Sequence, residues 1–129
     1  MVQTFPATRT AIALTVGIMA AALSMSAAAE AEEAPTAAEI SAAVSDHTYQ
    51  GSMSAAESGF AEYYAPDGTI RGDGYSGEWR AEAGAMCFQY GDKPERCFEV
   101  TINGPSMVMY KDGKIDGNGM LIEGNPLGF

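Results

Sequence analysis

The sequence holds one histidine, two cysteines, one tryptophan and only seven basic side chains among its 129 residues. Each shortage narrows what the chain can do. A lone histidine, His47, and two cysteines cannot build a zinc site of clustered histidines or of four cysteines. Neither G-x-S-x-G nor C-x-x-C occurs, so there is no nucleophile elbow and no redox dithiol motif. Seven Lys and Arg face 17 Asp and Glu, for a net charge of −10. Such a surface repels phosphate backbones and anionic lipid, so neither nucleic acid nor a membrane surface is an expected partner. It suits solubility, or a cationic protein partner. No apolar run is long enough to span a bilayer comfortably, which takes roughly 20 residues.

The longest such run, residues 11–23, has another reading. Arg9 precedes it as the only charged side chain of residues 1–29, and it gives way to small residues ending in Ala27-Ala28-Ala29. A basic start, an apolar stretch and an A-x-A site make a secretory signal peptide. Cleavage is expected after Ala29, with Ala31 the alternative, and the destination is the periplasm or the exterior. A single Arg fits the general secretion route, and no cysteine stands near the site to carry a lipid. Removing residues 1–29 leaves six basic against 17 acidic residues, a net charge of −11. Residues 30–35 are acidic and rich in small side chains, and read as a flexible tail. Residues 36–129 suit one domain with a modest core.

Within it, Thr36 and Glu39 have the spacing of a capping box. Ile40, Val44 and His47 continue at i, i+4 and i+7, which predicts a helix over residues 37–46. The period then changes. Tyr49, Gly51 and Met53 alternate with polar residues; Phe60 to Tyr64 is rich in aromatics; Pro66-Asp67-Gly68 is a turn; Tyr75, Gly77 and Trp79 alternate again. Further short runs include Met107 to Tyr110 and Met120-Leu121-Ile122. Turn signals every 8–12 residues predict a mainly β, antiparallel meander of seven or eight strands. It closes as a small barrel or stays a curled open sheet, with the helix packed on it.

Cys87 and Cys97 carry the sharpest inference. Folding residues 86–100 as a hairpin about Asp92 sets Cys87 opposite Cys97 and Met86 opposite Phe98. Met86, Phe88 and Tyr90 then share a face with Phe98, Val100 and Ile102. One register satisfies both the crosslink and the apolar face, so a structural disulfide is expected.

The series of a capped helix, T-Y-x-G, Y-Y-A-P-D-G-T, Gly77-Glu78-Trp79, the C-F…C-F-x-V hairpin and a late G-N-P resembles a group of small exported proteins of Gram-negative bacteria, classed as a domain of unknown function. The resemblance implies a periplasmic address and a small β-rich fold. It implies no activity.

Other candidates are weaker chemically. Asp112, Asp116 and Glu123 fall at positions 1, 5 and 12 of a calcium loop. Lys114 stands where an oxygen ligand belongs and Gly119 where a branched apolar residue does, so no metal or other cofactor is expected. Met107 and Met109 share a strand face and read as core before copper ligands. Tyr63, Tyr64, Tyr75, Trp79, Phe88 and Phe98 supply most of the aromatic area, and would line an apolar pocket if the sheet closes with room inside. The leading expectation is a non-enzymatic binding or envelope-associated domain. The alternatives are a barrel for a small apolar ligand, an inhibitor of a cationic envelope enzyme, or an enzyme with polar groups converging on His47 or a carboxylate pair in a cleft.

Overall fold

A computed structural model describes residues 33–129; the expected leader and the start of the acidic tail lie outside them. The described residues fold as an eight-stranded antiparallel barrel with one helix. The helix α1 spans Ala37–Val44, and the strands are β1 (His47–Met53), β2 (Phe60–Tyr64), β3 (Thr69–Gly72), β4 (Tyr75–Glu82), β5 (Ala85–Gln89), β6 (Arg96–Asn103), β7 (Ser106–Lys111) and β8 (Lys114–Glu123). Each strand pairs with the next, and β8 pairs back onto β1 from Glu123 opposite His47 to Gly117 opposite Met53. Closure removes both sheet edges.

The capping box forms as spaced: the Glu39 N–H donates to Thr36 Oγ1 at 3.1 Å, and the Thr36 N–H donates to Glu39 Oε2 at 2.8 Å. The helix ends two residues earlier than its stripe predicts. Asp46 adopts a positive φ of 57°, and its N–H donates to the Tyr64 carbonyl at 2.9 Å. His47 is therefore the first residue of β1, and its Nδ1–H donates to the Ser45 carbonyl at 2.8 Å. Part of the tail is also held: Gly84 N–H donates to the Pro35 carbonyl at 2.7 Å.

Ile40 and Val44 are fully buried in the same core as Tyr64, Ile70, Trp79, Met86 and Leu121. Because α1 leads directly into β1, it closes the end of the barrel where β1 starts. Trp79 is anchored there by its indole N–H, which donates to the Ala65 carbonyl at 2.9 Å. The buried Thr48 hydroxyl donates to the Gly124 carbonyl at 2.7 Å, tying β1 to the end of β8.

The hairpin has the expected register, with Met86 opposite Phe98 and Cys87 opposite Cys97. The disulfide is formed, with Cα atoms 4.0 Å apart, a little inside the usual lower bound of about 4.4 Å. It lies on the outer wall. Arg96 points away from it, over the Phe98 ring. Arg80 is the cross-strand partner of Cys87, a cationic neighbour not anticipated from the sequence; its guanidinium is held by Glu82 and Glu95. A formed bridge suits a non-reducing, exported environment. Among the described residues no helix is long and apolar enough to cross a membrane.

Candidate functional site

Period-two alternation sends Phe60, Glu62 and Tyr64 of β2 into the barrel. Glu62 is only 2 % exposed. A carboxylate removed from water is costly unless hydrogen-bonded, and here three phenols donate to it. Tyr64 and Tyr90 donate to Oε1, both at 2.8 Å, and Tyr75 donates to Oε2 at 2.9 Å. A carboxylate offers about four acceptor positions, so one on Oε2 is left over.

Glycines make room for these rings. The Cα of Gly72 lies against the ring of Tyr75, and that of Gly77 against Tyr90. Tyr49 lies over both Gly51 and Gly119: a Cβ on either would meet its Cζ, at 2.7 and 2.6 Å respectively. Tyr49 also packs against Phe60, with ring centroids 5.4 Å apart. Its hydroxyl is buried without a hydrogen-bond partner. Burial, and next the charge of Glu62, push the Tyr49 phenol up to about 12. The same two causes raise Tyr64, Tyr75 and Tyr90 well above the ordinary phenol value.

Beside this cluster a cavity of about 250 Å³ opens at the end of the barrel away from the helix. Met53, Phe60, Phe88, Phe98 and Met109 form its apolar wall, Glu62 and Tyr90 its polar part, and Lys93, Pro94 and Arg96 its mouth. An eight-stranded barrel is just wide enough to be filled by side chains or to hold one small ligand. This one does both, at opposite ends. A larger cleft, about 820 Å³, lies between residues 33–35 and the β4–β5 turn on the outside. Glu33, Glu39 and Glu99 stand among small side chains there, and no buried polar group converges on it.

Of the six aromatics expected at a pocket, Phe88 and Phe98 line the cavity. Trp79 fills the closed half, and Tyr64 packs against it with ring centroids 6.0 Å apart while its hydroxyl reaches Glu62 in the open half. Tyr75 reaches the site through Glu62 and the edge of the Tyr90 ring, and is 41 % exposed. Tyr63 is misplaced by the expectation: it is on the outer face, donating to Asp46 Oδ1 at 2.7 Å, with Arg71 beside its ring. Glu62, Tyr90, Phe60, Met53, Lys93 and Arg96 were not anticipated as site residues. The signal available was the row of glycines at 51, 72, 77, 117 and 119, each a place where a strand leaves room for a ring or thioether.

The calcium-loop residues are not brought together. Asp112 sits in the β7–β8 turn, while Asp116 and Glu123 lie along the extended strand β8. At about 3.3 Å per residue the ends of that segment are roughly 30 Å apart. Asp116 instead accepts from the Ser54 hydroxyl at 2.8 Å. Met107 and Met109 are buried core residues. Glu82, Cys87 and Cys97 are the grouping of metal-ligand types among the described residues, but both sulfurs are bonded to each other. His47 lies at the closed end, away from the cavity. Comparison with protein-family models, curated proteins and solved structures finds no match to this chain.

Proposed function

We propose that the protein is an exported, non-enzymatic binding domain that holds one small, mainly apolar ligand in the open end of its barrel. The observation that carries this reading is the cavity itself: an apolar wall of Met53, Phe60, Phe88, Phe98 and Met109 with one fixed polar pair, Glu62 and Tyr90, beside it. Ligand sites are typically mostly apolar with a few placed polar groups. At about 250 Å³, this one suits a single ring or a short chain. Binding without turnover is supported by the way Glu62 is held: its three phenol partners are themselves poor acids in this setting. The leader-like residues 1–29 and the disulfide support a periplasmic address, in keeping with the resemblance to small exported Gram-negative proteins.

The test is an NMR titration with 1-octanol. Saturable shifts confined to the amides of Phe60, Phe88, Phe98 and Met109 are expected, and Met53→Trp, which places an indole in the cavity, should remove them without changing the melting temperature. Shifts spread over the outer wall, or none, would sink the reading. For the address, the mass of protein recovered from the periplasm should correspond to a start at or near Glu30.

A further inference from the structure

The mouth of the cavity is cationic in a protein that is otherwise acidic. Lys93 and Arg96 line it. The Arg96 guanidinium lies 5.4 Å from the centroid of the Phe98 ring, and Lys111 Nζ lies 5.6 Å from the same centroid. Two of the six basic residues beyond the leader thus lie over one ring of the cavity wall, and a third, Lys93, lines the same cavity. The ion pairs among the described residues are those of Arg80 with Glu82 and Glu95, so none of these three cations is paired with a carboxylate of the described residues. Glu62 lines the same cavity without pairing to Arg96. Arg96 is placed there by strand alternation: it shares the inward face of β6 with Phe98 and is the cross-strand partner of Phe88.

Resting on the pocket reading above, we propose that the site selects an amphiphile with a single anionic end, such as a short aliphatic or aryl carboxylate. The charges fix its orientation. The anion sits at the mouth, where Arg96 offers a planar fork of donors. The apolar body lies inward along Phe88 and Phe98. Glu62 repels an anion that enters head first, and its spare acceptor position favours a hydroxyl or amide N–H at the inner end.

Three probes with one chain and different heads test this: octanoate, 1-octanol and octylamine, each titrated into the protein by NMR at low salt. Octanoate should bind about tenfold more tightly than octanol, and octylamine more weakly than either. In Arg96→Gln the advantage of octanoate over octanol should vanish, and raised salt should shrink that advantage in the unaltered protein. Equal binding of octanoate and octanol would overturn the inference and leave the pocket reading standing. Tightest binding by octylamine would overturn it in favour of recognition by Glu62. An advantage that survives Arg96→Gln would remove Arg96 as the selecting group. If none of the three binds, the pocket reading fails and the inference with it.

Discussion

At the end of the barrel where β1 begins, Ile40 and Val44 of the helix meet Ile70, Trp79 and Leu121, and the bore is filled with apolar side chains. At the other end the bore holds a buried carboxylate, three phenols bound to it, a fourth phenol with no partner and a cavity. Both ends are built from the same alternating strands. The difference lies in which residues occupy inward positions, and in glycines on one side where the other has Ile, Val and Leu. A polar group inside a barrel costs stability unless satisfied. The closed half provides the stability that lets the open half carry such groups, so the open half is where function is expected.

This contrast is most exposed at Trp79. Trp79→Ala should cost about 3–5 kcal/mol, because it opens a cavity in the closed half and removes the indole hydrogen bond to the Ala65 carbonyl, which keeps only the Gly68 N–H as a donor. Phe60→Ala, in a wall already facing a cavity, should cost clearly less. Chemical denaturation of the two variants measures both. Equal losses would mean that the two halves do not divide the work.

The disulfide belongs to neither half, being on the outer wall. Replacing Cys87 and Cys97 with Ser should cost about 2–3 kcal/mol through the unfolded chain. Octanol binding at low temperature should persist. Its loss in a folded double mutant would show that the bridge shapes the mouth next to Arg96.

How much of this was legible in the sequence differs between the halves for the same physical reason. The hairpin of Cys87 and Cys97 could be registered in advance because two independent constraints, a crosslink and a period of two, agreed on one pairing. The helix start was readable from Thr36 and Glu39. Its end was not, since His47 continues the spacing and only the backbone at Asp46 breaks it. Barrel closure was not decidable, because the first half of β8 inserts Gly117 and Gly119 at inward positions, where no apolar signal marks a strand. Glu62 reads as a solvated charge until closure puts its face inside. The meaning of Tyr63 against Tyr64 likewise depends on which face of β2 is inward.

The glycine seats give a test of intermediate size. Gly119→Ala would place a Cβ 2.6 Å from both the Gln50 carbonyl oxygen and Tyr49 Cζ. Overpacking of this kind costs typically about 1–3 kcal/mol. The loss should be partly recovered in Gly119→Ala combined with Tyr49→Leu, which withdraws the ring. No recovery would mean that the backbone contact alone sets the cost.

Tyr49→Phe carries the smallest expected effect and sharpens the contrast most. The hydroxyl is buried and unpartnered, so its removal forfeits no hydrogen bond and should change stability at neutral pH by less than about 1 kcal/mol, toward stabilisation. The difference appears in alkali. The Tyr49 phenol is raised from 10.0 to about 12 in the fold, by burial first and Glu62 second. A folded value above the unfolded one means that the neutral form is favoured by folding. Its contribution is complete below pH 10 and is lost as pH climbs toward 12. Tyr64, Tyr75 and Tyr90 are raised for the same causes, so the unaltered protein should lose stability steeply in that range. Tyr49→Phe should keep part of it, leaving a shallower decline between pH 10 and about 12. Denaturant midpoints at several pH values measure this. If the two proteins fall in parallel, Tyr49 does not feel the buried carboxylate, and the polar cluster ends at the three phenols that touch Glu62.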